Sequence, residues 1–123
     1  MTEHVQWPAL PYEEWAPTKK TLHMVVQMLG KTKLALSPPQ PEWLHARLFL
    51  DGRGFATGPM PYRFTTVSMG IDVFEGALWM AASDGRRATI ALGPDRTIAT
   101  IWSDFQGALS ALGLVLDLWE KPQ

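Results

Sequence analysis

An α+β fold, with a mainly antiparallel β-meander of about six to seven strands flanked by an N-terminal and a C-terminal amphipathic helix, is predicted by two features of the chain. The first is a series of acidic-Gly pairs, Asp51-Gly52, Glu75-Gly76 and Asp84-Gly85, each set between short runs rich in apolar and β-branched residues. Such pairs suit the tight turns of antiparallel hairpins, because Gly tolerates positive φ at no steric cost. The second is a segment on either side of the series in which apolar residues recur at helical spacing. Strands grouped between helices in this way build a sheet with its helices packed against one face.

Taken in order, residues 1–13 read as an extended arm, since Pro8 and Pro11 restrict the chain around Trp7, Leu10 and Tyr12 to non-helical conformations. A helix over 14–30 follows, with Pro17 in its first turn and Gly30 at its end. Glu13 and Glu14 favour its N-terminus through the helix dipole. Trp15, Leu22, Val25, Val26 and Leu29 form its core-facing stripe. The meander occupies 31–92. Its first strand, 31–36, is closed by Ser37-Pro38-Pro39-Gln40-Pro41, which cannot pair inside a sheet, and further strands are predicted over 46–50, 54–57, 65–74, 77–82 and 87–92. In the longest, Thr65, Val67, Met69, Ile71 and Val73 share the packed face, and Thr66, Ser68, Gly70 and Asp72 the wetter one. A second helix over 97–112 carries Ile98, Ile101, Trp102, Phe105, Leu109 and Leu112 on one side and Gly113 as its cap. Residues 114–119 are predicted to form a last strand.

A length of 123 residues with 46% hydrophobic and 19% charged residues fits one domain spanning 1–123. Eleven Lys and Arg against twelve Asp and Glu give a net charge of −1, so there is no basic field of the kind nucleic-acid binding draws on, and no nucleic-acid partner is expected. The absence of cysteine removes disulfides, thiolate catalysis and Cys-ligated metal sites. Neither a signal peptide nor an apolar run of about 18 residues is present, so a cytoplasmic protein with no membrane partner is expected.

Catalytic motifs are lacking. No Gly-x-Ser-x-Gly elbow exists, and Gly52-Arg53-Gly54 sits in a hairpin with neither the helix nor the Lys-Ser/Thr pair of a phosphate loop. The polar flank of the first helix is more suggestive: His23, Gln27 and Lys31 are four residues apart and stack along one stripe, where imidazole, amide and ammonium can grip an anionic or carbonyl-bearing ligand. The plain alternative is a solvated helix flank. Six tryptophans add aromatic surface, and Trp43 and Tyr62 lie in or beside proline-bracketed loops at 37–41 and 58–62. The candidate ligand-binding residues are therefore His23, Gln27, Lys31, Trp43 and Tyr62, around a pocket between that flank and those loops. His45 with His23 lacks the close ligand spacing of a metal centre, so neither metal nor cofactor is expected. A binding or interaction module for a small molecule or protein is the leading reading. Its rivals are a small cofactor-independent hydrolase or isomerase with His23 as general base and Asp72 or His45 as partner, and a structural oligomerisation domain.

Trp7-Pro8-Ala9-Leu10-Pro11, Trp15, Thr18, Thr21-Leu22-His23, Gln27, Gly30-Lys31 and Leu34-Ala35-Leu36-Ser37-Pro38 together resemble the opening of the DUF5996 family of uncharacterised bacterial proteins. Gly54, Thr57, Pro59, Pro61-Tyr62, Asp72 and Ser83-Asp84-Gly85-Arg86 continue the resemblance across nearly the whole chain. The family has no established activity, so the resemblance implies no catalytic residues. Its members tend to have an aromatic pair with Asn and His ahead of the second strand, where this chain reads Glu42-Trp43-Leu44-His45. They also continue beyond the point where this chain stops, which implies uncovered apolar surface near 114–119 and predicts a homodimer.

Overall fold

The computed structural model describes residues 8–37 and 47–116. Its elements run α1 (Tyr12–Leu36), β1 (Phe49–Leu50), β2 (Gly54–Ala56), β3 (Met60–Tyr62), β4 (Thr65–Asp72), β5 (Ala77–Ala82), β6 (Arg87–Ala91) and α2 (Ile98–Ala111). Two helices and a six-stranded antiparallel sheet place the protein in the α+β class. Strand order is β1-β2-β4-β5-β6, with β3 also paired to β4.

All three acidic-Gly pairs lie in hairpin turns, joining β1 to β2, β4 to β5 and β5 to β6. In each, an aspartate holds the turn through its side chain. Asp51 accepts the backbone N–H of Arg53 and of Gly54, both at 2.8 Å, Asp72 accepts those of Phe74 and Glu75 at 3.0 and 3.1 Å, and Asp84 accepts that of Arg86 at 3.1 Å. Gly76 and Gly85 take φ of 62° and 96°, which a side chain would resist.

The central strand β4 pairs with β2 through 70–72 and with β3 through 65–67, so β2 and β3 are one strand broken at Thr57-Gly58-Pro59. Three residues there oppose two, Ser68 and Met69, which makes the break a bulge. Thr57 bridges it: its backbone N–H donates to the Met69 carbonyl at 2.9 Å, and its buried hydroxyl accepts the Met69 N–H at 3.1 Å. Gly58 supplies the required φ of 72°, and Pro59 leaves no N–H to satisfy.

Alternation in the pleat fixes the core. Val67, Met69 and Ile71 of β4 stand opposite Ala82, Met80 and Leu78 of β5, and Leu78 stands opposite Ile90 of β6; all of these are buried. Met60 joins the row across from Val67. Val25, Met28 and Leu29 of α1 and Ile101, Phe105 and Leu109 of α2 close over this face. On the reverse face Trp79 lies across Gly70, where an added Cβ would stand 2.6 Å from the indole and from the Phe55 carbonyl. Val73, expected to continue the packed row, is 53% exposed instead, because β4 ends at Asp72 and the chain turns there.

The structure corrects the predicted bounds of the first helix, which begins at Tyr12 and runs through Gly30 to Leu36. The predicted strand at 31–36 is therefore helix. Lys, Leu and Ala are good helix formers, and burial of Met28, Leu29, Thr32 and Lys33 outweighs the cost of about 1 kcal/mol for an interior glycine. Thr32 returns its hydroxyl to the Met28 carbonyl at 2.9 Å. The helix stops at Ser37, whose extended ψ of 143° is what a following proline demands. At the other end Pro17 falls inside the helix rather than in its first turn. The arm is accordingly extended only over 8–11 of its described residues.

Two further expectations change. Residues 60–62, read as loop, form β3; the hairpin to β4 turns on Arg63-Phe64 without glycine, Arg63 itself taking a φ of 54°. Residues 114–116 form no strand, and 117–119 lie outside the described residues. Leu114 is instead part of the cap of α2: its N–H donates to the Leu109 carbonyl at 2.8 Å and that of Gly113 to the Ser110 carbonyl at 3.0 Å, with Gly113 at a φ of 77°. Its side chain is buried with Leu109, the apolar contact that accompanies this cap. At the N-terminus of α2 the Thr97 hydroxyl accepts the Thr100 N–H at 3.1 Å.

Ile71→Asp is expected to cost several kcal/mol, about what burying an unpaired carboxylate costs, whereas Val73→Asp, two residues on in the same strand register, should stay within about 0.5 kcal/mol. Urea unfolding of the two variants checks this; equal losses would refute the register.

Candidate functional site

Of the five residues predicted to form a site, Trp43 lies outside the described residues, as does His45. His23 is exposed on α1, and the Gln27 amide nitrogen lies 3.1 Å from its Nε2. Gln27 and Lys31 turn instead toward α2, where with Met24, Met28, Ile98 and Trp102 they line a void of about 30 Å³, room for about one or two waters. The Lys31 ammonium lies 5.9 Å from the Trp102 ring centre. His23 faces a wide shallow groove with Tyr12, Ala16, Lys19 and Lys20. Tyr62 is half-buried at the bulged edge of the sheet, its hydroxyl accepting the Val115 N–H at 3.1 Å, and it lines neither of these spaces. The stripe thus brings His23 to Gln27 and sets Lys31 against α2, while Tyr62 stands apart.

A cavity of about 320 Å³ opens elsewhere, where the N-terminal half of α1 crosses the end of the sheet. Pro17, Thr18, Thr21, Leu22 and Val25 form its helix wall, Ile71, Asp72 and Val73 its floor, and Leu92, Gly93, Pro94 and Arg96, from the loop between β6 and α2, its far side. Its volume falls in the range of small-molecule sites and its walls are mostly apolar.

Two charged groups border it. The Asp72 carboxylate accepts the Arg53 Nε–H at 2.6 Å as well as the two turn N–H groups, and the hydrogen bond to Arg53 leads in holding it below its ordinary value of 3.8 against the opposing effect of burial. Asp72 therefore stays ionised with its oxygens engaged. Arg96 is differently placed. Its Nη2 pairs with Asp104 on α2, its side chain is 28% exposed, and its Nε is buried with no hydrogen-bond partner. A buried donor left unmade costs about 1–3 kcal/mol.

Lys33 is a buried cation that the sequence did not single out. Its ammonium donates to the Arg47 carbonyl and lies 4.5 Å from the Phe49 ring centre, tying α1 to β1; burial first, then Arg47, pushes its pKa down. Among the described residues no three His, Cys, Asp or Glu side chains are grouped to hold a metal ion, and no helix is long and apolar enough to cross a membrane.

These features define a small α+β domain with both helices on one face of an antiparallel sheet and a ligand-sized cleft at the sheet's end. A family model described as a family of unknown function, DUF5996, matches residues 7–123, nearly the whole chain, and the protein belongs to that family. No curated protein and no solved structure matches it.

Because the folded pKa of Asp72 is depressed, its contribution to stability is fully present above the unfolded value near 3.8 and is lost as the pH falls through the lower folded value. A carboxyl NMR titration should place the Asp72 midpoint below 3.8, and Arg53→Gln should raise it. A wild-type midpoint at or above 3.8 would show that the pair is not made in solution.

Proposed function

We propose that this protein is a small-molecule-binding module whose site is the cleft between α1, the end of β4 and the loop before α2. The observation that supports this most directly is the 320 Å³ cavity itself, walled mostly by apolar side chains with Thr18, Thr21 and Arg96 among its lining. The combination of apolar walls with a few placed polar groups is what ligand sites share. His23, Gln27 and Lys31 lie on an adjoining side of the same helix, and their part in this reading is secondary. The catalytic alternative, with His23 as general base, draws less support: the His23 ring is paired with the Gln27 amide, and Asp72 is engaged by Arg53 and two backbone N–H groups.

Thr21→Phe should fill the cleft from the helix wall while leaving the core beneath it intact. In a fragment screen by two-dimensional NMR, hits should shift the amides of Thr18, Thr21 and Leu92, and Thr21→Phe should weaken them at least tenfold. Hits confined to other surfaces, or unaffected by Thr21→Phe, would refute this placement of the site.

A homodimer is proposed on separate ground. The sheet face opposite the helices presents Trp79, half-buried, with the small side chains of Ala77, Ala81 and Ala91 around it. A second copy would cover that face symmetrically. Sedimentation at about 50 µM, where modest interfaces assemble, should show a dimer that Trp79→Glu dissociates. A wild-type monomer at that concentration would refute it.

A further inference from the structure

We infer that the free edge of β6 receives an extended peptide strand carrying an acidic side chain, a second binding surface separate from the cleft. The hydrogen-bond register decides which groups are available. Leu92 donates its N–H to the Gly76 carbonyl and Ala82 donates to the Arg86 carbonyl, both at 2.8 Å, so the bonds between β5 and β6 run through residues 86, 88, 90 and 92. The N–H and C=O groups of Arg87, Thr89 and Ala91 therefore point away from β5, toward the open side of the sheet. All three residues are exposed, β6 is the last strand in the order, and among the described residues nothing hydrogen-bonds to these groups. Edge strands are commonly kept from pairing by shortness, proline or a bulge. The other unpaired edges follow that rule, since β1 has two residues and β3 has three with Pro61 among them. β6 has five residues and no proline, and its outward groups belong partly to the small, uncharged Thr89 and Ala91. Such an edge holds an added strand through its main chain, and alternate side chains give the specificity. Arg87 supplies that specificity here. Arg53, Arg86 and Arg96 are each paired with an aspartate, whereas the exposed Arg87 side chain has no ion pair among the described residues. In an antiparallel addition, the direction of every pair in this sheet, the residue across from Arg87 stands on the same face as its guanidinium, so an acidic side chain there meets an unused cation.

The probe is the peptide acetyl-Thr-Val-Thr-Val-Glu-amide, whose glutamate falls across from Arg87 when its central threonine pairs with Thr89. It is titrated to millimolar concentration into the whole chain and followed by two-dimensional NMR and amide hydrogen exchange. In the free protein the amides of Arg87, Thr89 and Ala91 should exchange fast and those of Ala88 and Ile90 slowly; the peptide should shift the first set saturably and slow their exchange. N-methylation of the central threonine removes the N–H aimed at Thr89 and should abolish binding, whereas N-methylation of the valine before it, whose N–H points away from β6, should not. Replacing the glutamate by lysine should weaken binding several-fold, and Arg87→Glu should reverse the order of the two peptides. Slow exchange of Arg87, Thr89 and Ala91 in the free protein would overturn the inference, because the edge would already be paired; its dependence on protein concentration would then assign the edge to a second copy. Binding that survives methylation of the central threonine would place the peptide elsewhere and overturn the inference as well. Equal affinity for the glutamate and lysine peptides would overturn the acidic preference and leave the edge as a docking surface. No shift along β6 at millimolar peptide would overturn the whole inference and leave the reading of the cleft untouched.

Discussion

The sheet depends on how Thr57 spans the gap between β2 and β3. Without it, the Met69 N–H would be buried without an acceptor in the gap between the two short strands. The threonine hydroxyl takes the place of the carbonyl that a regular strand would present there, so two short strands act as one long one. That continuity lets β4 run its full length at the centre of the sheet, with Val67, Met69 and Ile71 all turned toward the helices. A bulge also increases local twist and bends the strand that carries it. The helix cover and the cleft at the end of β4 are both laid on that frame.

Ion pairs play a different part. Arg53 reaches from the β1–β2 turn to Asp72 and Glu75 at the start of the β4–β5 turn, and Arg86 returns to Asp84 within its own hairpin. Pairs this exposed add little to stability, being screened by solvent, so they set the alignment of neighbouring turns more than they hold the fold. Asp72 combines three tasks in one carboxylate: it closes its own turn, anchors Arg53 and forms part of the cleft floor.

The fold was readable from the sequence wherever a residue has a backbone preference of its own. The acidic-Gly pairs marked three hairpins, Ala77–Ala82 emerged with its predicted bounds, and α2 needed only its caps trimmed. The misreadings share a cause. Gly30 reads as a stop because interior glycine is unfavourable, yet tertiary burial on the next turn outweighs it. The Arg63-Phe64 turn has no glycine to announce it, and Pro61 argued against the short edge strand in which it sits, where a missing N–H is tolerated. The cleft was less legible still. The spacing of His23 and Gln27 could be read from one helix, but Thr21, Ile71, Pro94 and Arg96 meet only through the crossing of three separate segments. Only the pairing of Arg96 with an aspartate eight residues on, Asp104, is close in sequence, and that pattern is common on solvated surfaces.

Pro17 gives α1 a division that its continuous outline conceals. From Val25 to Lys33 the helix is pressed into the core, while from Tyr12 to Lys20 it is largely exposed and one of its rungs, the bond a residue at 17 would donate to Glu13, does not exist. Amide exchange should therefore be graded along a single rod, slow where the core holds it and fast beyond the proline, with Thr21 and Leu22 at the junction. One wall of the cleft is built across that junction. Any loosening of the exposed turns around the proline would change the width of the cleft at Pro17 and Thr18, while the floor at Ile71 is held by its pairing within the sheet.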